Sequence, residues 1–153
     1  ATWSCPVSTE RFRIATARWP EQAAAVRAVR EAVFVREQGV PAELEWDDRD
    51  AEAWHWLAED VAGHPIGTAR LLRSGQIGRM AVLPAWRRRG VGSALLRAVL
   101  AAAPRLGVGA LWLNAQTSAE DFYRRAGFTG DGAVFAEAGI PHRTMRYPQE
   151  RDP

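Results

Sequence analysis

Residues 79–96 read RMAVLPAWRRRGVGSALL, and this stretch decides the fold. An alternating strand over residues 77–83 leads into it, and a helix with one apolar face, over residues 90–103, leads out. A further alternating strand follows at residues 110–115. Strand, helix and strand in this order predict one right-handed parallel crossover. Ligands of such sheets bind beyond the carboxyl ends of the parallel strands, so we expect a site at residues 82–93.

The junction of this strand and helix has the composition of an anion site. The run Arg87–Arg89 is followed by Gly90 and Gly92 at the predicted helix start. The first N–H groups of a helix have no partner within it, and the helix dipole adds positive potential there. Glycine lets a bulky anion approach the backbone, and arginine supplies forked donors. The pattern indicates a diphosphate ligand, and the simpler alternative is a tightly packed helix start with solvated arginines.

Two common phosphate motifs are excluded by composition and spacing. A P-loop needs a lysine, and all 20 basic residues of the chain are arginine. The dinucleotide fingerprint needs a third glycine at position 95, where Leu95 stands. The anion site is therefore of another kind.

Composition bounds the remaining classes. The 153 residues, 47% hydrophobic and 25% charged, predict one folded domain over residues 1–153 with a tail over residues 1–10. No apolar run is long enough to span a bilayer, so we expect a soluble, cytoplasmic protein that needs no membrane. Cys5 alone supplies neither a disulfide nor a cysteine zinc site, and no metal is expected. The net charge of +2 is too small to indicate nucleic acid binding.

Periodicity extends the map over the whole chain and predicts an α+β (α/β) fold. Strands are expected at residues 11–16, 54–59, 66–73, 77–83, 110–115, 133–137 and 142–147, and helices at 20–38, 90–103 and 118–127. Ser118 is the expected N-cap of the last helix. The order β-α-β-β-β-α-β-α-β-β predicts a mixed, mostly antiparallel central sheet with one parallel pair and flanking helices.

The segment over residues 40–50 is acidic and lacks periodicity. It carries Glu43, Glu45, Asp47, Asp48 and Asp50. A solvated loop and a binding site for a cationic amine are both open, and Trp46 within the segment offers an aromatic face for such a cation.

Two segments together resemble the GNAT superfamily of N-acetyltransferases. Arg87-x-x-Gly90-x-Gly92, after the strand Met80-Ala81-Val82, resembles the acetyl-coenzyme A signature of that superfamily. Residues 119–128, AEDFYRRAGF, resemble its A-x-x-[LF]-Y-x-x-x-G-F segment, and the element order matches along nearly the whole chain. Residues 33–41, VFVREQGVP, and 138–142, AGIPH, are similar to segments of one branch of small bacterial acetyltransferases.

The resemblance implies acetyl coenzyme A as co-substrate and assigns its contacts. The cofactor-binding residues it implies are Met80, Ala81, Val82, Arg87, Arg88, Arg89, Gly90, Val91, Gly92, Ser93, Asn114, Gln116 and Tyr123. Backbone N–H groups of residues 88–93 would hold the pyrophosphate, and Val82 would pair with the pantetheine arm between two splayed parallel strands. Gln116 stands where the family often has asparagine, so Asn114 is a second candidate for that contact.

The resemblance also implies the catalytic groups. Tyr123 would protonate the leaving thiolate, because a phenol with a pKa near 10 can donate to a thiolate. An ammonium acceptor needs a base, for which Glu37 and His142 are the main candidates. Further candidates are Glu45, Asp47, Asp48 and His55.

Two functions follow from these residues. The first is acetyl transfer from acetyl coenzyme A to a primary amine, by direct attack with both substrates bound. The second is a noncatalytic module that binds an acyl coenzyme A as a sensor or docking domain. A small molecule and a peptide both remain open as the acceptor, and pairing through the late strands is compatible with a homodimer.

Overall fold

The computed structural model describes residues 11–148, so Cys5 and the predicted tail lie outside the described residues. Seven strands are present: β1 Phe12–Ala17, β2 Trp54–Asp60, β3 Pro65–Leu71, β4 Gln76–Val82, β5 Leu111–Gln116, β6 Thr129–Glu137 and β7 Ile140–Tyr147. The α-helices are α1 Ala23–Arg30, α2 Ala42–Glu45, α3 Val91–Ala102 and α4 Glu120–Arg125. None of these helices has the length and apolarity that a bilayer span requires.

The strands form one sheet in the order β1-β2-β3-β4-β5-β7-β6. β4 and β5 are parallel, and the other neighbouring pairs are antiparallel. The predicted mixed sheet with one parallel pair is therefore confirmed. Because α3 connects β4 to β5, its N-terminus lies at the carboxyl end of β4.

Helix α3 covers the middle of the sheet. Its residues Val91, Leu95 and Val99 are almost completely buried and belong to the main core cluster with strand residues such as Leu71 and Leu113. The spacing of these side chains by four residues is the apolar stripe that the sequence predicts. Burial of this stripe fixes the start of α3, and so the loop over residues 83–90 before it, against the sheet.

The first helix departs from the prediction of one continuous helix over residues 20–38. After α1 the chain continues as a π-helix over Glu31–Glu37, in which the Gln38 N–H donates to the Val33 carbonyl, five residues back. π-helical turns are rare in proteins overall, and those that occur are often found at functional sites. Gly39, with φ 73°, ends the segment as predicted.

The predicted N-cap at Ser118 is wrong. A 3-10 turn over Thr117–Ala119 precedes α4, and Ala119 is the N-cap residue, without a capping side-chain bond. Glu120 and Asp121 in the first turn of α4 complement the helix dipole instead.

Candidate functional site

β4 and β5 pair over only two positions before they separate. The pairs are Gln76 with Trp112 and Ile77 with Leu113. Beyond them β4 bulges, because both Arg79 and Met80 stand opposite Ala69 of β3. Arg79 adopts a left-handed φ of 47° at this bulge. The bulge turns the end of β4 away from β5 and opens a gap between the two parallel strands.

A cavity of about 460 Å³ lies at this gap. Five of the predicted site residues line it: Met80, Asn114, Gln116, Tyr123 and His142. The walls come from β4, β5, the π-helical segment, α2 and the turn between β6 and β7. Ala81 instead faces the other side of the sheet, where it packs against Val29 and Val33.

The anion loop lies between β4 and α3. Arg88 and Gly90 adopt left-handed φ values of 63° and 86°, and Gly90 caps α3. The first helical bond runs from the Ala94 N–H to the Gly90 carbonyl, so the N–H groups of residues 91–93 have no partner within the helix. A Cβ at Gly92 would make ordinary contact with Phe122, and a Cβ at Gly90 would meet open space, so it is the left-handed φ that favours glycine at position 90.

Arg87 is held by two contacts at the edge of this loop. Its Nη1 and Nη2 donate to the two carboxylate oxygens of Glu37 at 2.6 and 2.5 Å, and its Nε donates to the Val82 carbonyl at 3.0 Å. The hydrogen bonds from Arg87 hold the pKa of Glu37 below its ordinary value. A carboxylate that is both doubly bonded and less basic is a poor proton acceptor. This geometry argues against Glu37 as the general base and assigns it to fixing Arg87.

Tyr123 lines the cavity from α4. Its ring packs edge-on against Phe122 and Phe128, with centroids 5.0 and 5.9 Å away. Burial raises the pKa of Tyr123 to about 12. The phenol therefore stays protonated at neutral pH, as a proton donor must.

The two amide side chains on β5 already have partners. The Thr144 hydroxyl donates to Asn114 Oδ1 at 2.8 Å, which leaves the Asn114 NH₂ as a donor toward the cavity. Gln116 Nε2 donates to Gln38 Oε1 at 2.9 Å, and its carbonyl oxygen remains for another donor. The end of the π-helical segment therefore contacts both sides of the gap. Glu37 binds Arg87 in the loop after β4, and Gln38 binds Gln116 on β5.

His142 lies on β7 opposite Gln116 of β5. Its side chain is buried, and Nδ1 is 2.7 Å from the Ile140 carbonyl oxygen. The Nε2 atom is 3.5 Å from Glu137 Oε2. Two of the base candidates, His142 and Glu45, line the cavity. Glu45 is bound to Arg30, whereas no arginine contacts the Nε2 atom of His142 within the described residues.

Three arginines pair with three of the five carboxylates of the acidic segment, Glu45, Asp47 and Asp50. Arg30 Nε donates to Glu45 Oε2 at 2.8 Å, and its Nη1 donates to Asp50 Oδ1 at 2.9 Å. Arg70 Nη1 donates to Asp47 and Asp50 at 2.8 and 2.9 Å. Burial alone would raise the pKa of Asp47, but the hydrogen bond and charge of Arg70 outweigh it and lower that pKa.

Arg79 completes this cluster at the cavity wall. Its Nη2 donates to Asp47 Oδ2 at 3.3 Å, and its Nε is 3.0 Å from Glu45 Oε2 without hydrogen-bond geometry. Both expectations for the segment therefore need correction. Glu45 and Asp50 are buried and paired rather than solvated, and Glu45 and Asp47 are bound to guanidinium groups rather than free to bind or deprotonate an amine. Asp48 is exposed.

Two other candidates are occupied by structural contacts. His55 Nε2 is 2.8 Å from the Asp50 carbonyl oxygen, and burial lowers the pKa of His55, which keeps the ring neutral beneath the surface. The ring of Trp46 faces Arg27 and Arg30, whose guanidinium carbons are 5.8 and 5.2 Å from its centroid. The cation that Trp46 receives is therefore the protein's own arginine.

Sequence reasoning missed the arginines of the cluster, although two of them carried a signal. Arg30 falls on the same helix face as Val26, Val29 and Val33, and Arg70 lies within an otherwise apolar strand. An arginine at an apolar position requires buried carboxylates. Within residues 11–148 no group of three or more His, Cys, Asp or Glu side chains is arranged to hold a metal ion.

Comparison with known proteins identifies the family. Residues 20–148 match the acetyltransferase (GNAT) domain family. The chain is 40% identical over 121 residues to the uncharacterized N-acetyltransferase YjcF of Bacillus subtilis (strain 168), covering 76% of this chain and 86% of that protein. The chain belongs to the GNAT family of acyltransferases.

Solved structures agree with this assignment. The crystal structure of an acyl-CoA N-acyltransferase from Pseudomonas aeruginosa superposes with a TM-score of 0.80 at 30% identity, over 90% of this chain and 100% of that one. Escherichia coli ElaA gives a TM-score of 0.80 at 27% identity, with the same coverage. The GNAT fold that the sequence motifs imply is therefore confirmed.

Proposed function

We propose that this protein transfers an acetyl group from acetyl coenzyme A to a primary amine, with both substrates bound at once. The observation that carries the proposal is the separation of β4 from β5 after Ile77, where a cavity lined by Tyr123 opens, with the arginine-flanked loop before α3 following the end of β4. Acetyl coenzyme A supplies the acetyl group as a thioester. The family transfers acyl groups from acyl coenzyme A to amine acceptors. For this protein we propose that the acyl group is acetyl.

The loop before α3 suits the diphosphate of coenzyme A. The N–H groups of Val91, Gly92 and Ser93 have no helical partner, and the side chains of Arg88 and Arg89 are exposed beside them. Gly90, at a φ of 86°, lets the chain reverse without a Cβ at the anion. Arg87, whose charge is paired with Glu37, fixes the start of this loop through its hydrogen bond to the Val82 carbonyl.

Val82 is the proposed contact for the pantetheine arm and the thioester. The Leu83 N–H donates to the Ile66 carbonyl of β3, so the backbone groups of Val82 point the other way, toward β5. The Val82 carbonyl accepts from Arg87 Nε at 3.0 Å. The Val82 N–H is the backbone group that we propose meets the thioester. A fixed N–H at this point would polarise the thioester carbonyl as an oxyanion donor does.

The proposed reaction forms an N–C bond and breaks the C–S bond. Tyr123 donates a proton to the departing sulfur and regains one from the amine nitrogen, because a phenolate whose acid has a pKa of about 12 is a strong base. The acceptor ammonium loses two protons in total. One balances the proton that the thiol gains, and the other goes to solvent.

Thermal unfolding with coenzyme A ligands is the primary test. We expect acetyl coenzyme A and free coenzyme A at about 100 times Kd to raise Tm by roughly 5 to 10 °C, and ATP and NAD at matched concentrations to have little effect. No rise with either coenzyme A form would reject the site. A rise without thiol release from any primary amine would favour the noncatalytic acyl coenzyme A module.

A further inference from the structure

The hairpin between β6 and β7 presents four side chains on one face. Ala138 and Gly139 form its two-residue turn, and both have positive φ, 51° and 77°. Glu137 is opposite Ile140, and Phe135 is opposite His142. Since side chains alternate along a strand, these four share a face. Glu137, Ile140 and His142 line the cavity.

Three contacts fix the orientation of the His142 ring. Nδ1 lies 2.7 Å from the Ile140 carbonyl, which can only accept, so Nδ1 carries the proton that makes this bond. Phe135 stacks on the ring at a centroid distance of 6.1 Å and a tilt of 26°. In the neutral ring, Nε2 then holds a lone pair, 3.5 Å from Glu137 Oε2. Nε2 is the atom that can gain and lose a proton without breaking the other contacts.

Among the described residues that line the cavity, the charged side chains outside this hairpin are paired with opposite charges. Glu45 is paired with Arg30, and Arg79 lies against Glu45 and Asp47. Glu137 is half exposed, and its ion-pair contact within the described residues is His142. While His142 is neutral, Glu137 leaves one uncompensated negative charge that faces the cavity.

We propose that Glu137 and His142 form the site that binds and deprotonates the ammonium group of the acceptor. The proposal deepens the proposed acetyl transfer and rests on it for the reaction itself. Glu137 binds the ammonium through its free carboxylate oxygen. His142 Nε2 takes one proton, which leaves a neutral amine with a lone pair for attack, and the resulting imidazolium is stabilised by Glu137. The acceptor is therefore a cationic primary amine.

Other ionisable groups face this pair. Tyr123 on α4 lines the same cavity, and Glu45 and Arg79 stand across it on α2 and β4. Burial keeps Tyr123 neutral up to high pH. Burial also raises the pKa of Glu45, although Arg30 and Arg79 beside it act in the opposite direction. Glu45 is bound to Arg30 and lies against Arg79, so Glu137 and His142 are the ionisable pair on this wall that no arginine contacts within the described residues.

A binding measurement tests the site without turnover. The probe is n-butylammonium, followed by amide chemical shifts of residues 137–142, with n-butanol as a neutral probe of equal length. We expect shifts with n-butylammonium only, and E137Q should raise its Kd at least fivefold. H64Q is the matched control, because His64 forms a similar contact with Asp60, 3.1 Å away at an exposed turn. Equal shifts with both probes, or wild-type affinity in E137Q, would overturn the proposal.

Turnover separates the two residues. With acetyl coenzyme A and any amine that releases thiol, E137Q should raise KM for the amine at least fivefold. H142Q should lower kcat by about 100-fold or more and remove the acidic limb of the pH profile of kcat/KM. Both variants should keep the Tm rise with acetyl coenzyme A. If acetyl coenzyme A does not raise the Tm of the wild type, the proposed acetyl transfer is rejected. If the acidic limb of kcat/KM is unchanged in H142Q, the role of His142 is rejected, whether or not acetyl transfer stands.

Discussion

The ring of Tyr123 packs against aromatic residues, and its hydroxyl is the proposed proton donor. Removal of its hydroxyl in Y123F leaves the ring contacts with Phe122 and Phe128 intact. We expect kcat for thiol release to fall by about 100-fold or more, since a positioned acid contributes roughly that much. The Tm rise with acetyl coenzyme A should remain within a few degrees of wild type. A kcat equal to that of the wild type would assign the proton to another donor.

The same residue links stability to alkaline pH. Burial raises the pKa of Tyr123 to about 12, whereas the unfolded chain releases this proton near pH 10. The stability that the folded protein gains from burying the neutral phenol is thus fully present below pH 10 and is lost as pH rises toward 12. Between pH 9 and 11.5 the wild type should lose about 2 kcal/mol more unfolding free energy than Y123F, measured by urea denaturation. Parallel curves would contradict the burial of this hydroxyl.

At the scale of elements, the end of the π-helical segment anchors the anion loop. E37Q keeps the size of the side chain but weakens the bidentate contact with Arg87. We expect the Kd for acetyl coenzyme A, measured by calorimetry, to rise severalfold, while kcat at saturation changes less than threefold between pH 6 and 9. E31Q removes the exposed contact with Arg36 on the same segment and should alter neither quantity. A large loss of kcat with unchanged Kd would restore Glu37 as the base.

At the scale of the whole molecule, the buried ion cluster joins α1 and α2 to β3 and β4. R30M would leave Glu45 and Asp50 buried without their main partner. We expect a loss of about 3 to 5 kcal/mol and a Tm lower by roughly 10 °C. R13M, which removes an exposed contact with Glu59, should cost less than about 1 kcal/mol. Similar Tm values for the two variants would show that the cluster contributes little.

Sequence reasoning predicts best where structure is local. The strand, anion loop and helix over residues 77–103 depend on alternation, helical spacing and glycine, which a short window contains. The bulge at Arg79 depends on pairing with β3, and the contacts of Glu37 and Gln38 at the end of the π-helical segment are made with residues 50 and 78 positions away. The acidic segment shows the same limit, because its partners Arg30 and Arg70 are 15 to 23 residues away.

The cation on the cavity wall is an arginine, Arg79, and not a lysine, so it offers no reactive amine there. A lysine amine, with a pKa near 10.4, keeps a small reactive fraction at neutral pH and would compete for any activated acyl group beside it, whereas a guanidinium stays protonated above pH 12. The 153 residues contain no lysine, so no side chain offers a primary amine to a thioester. The protein is protected by its own composition from self-acylation at side-chain amines, and amide products formed in its cleft come from the acceptor.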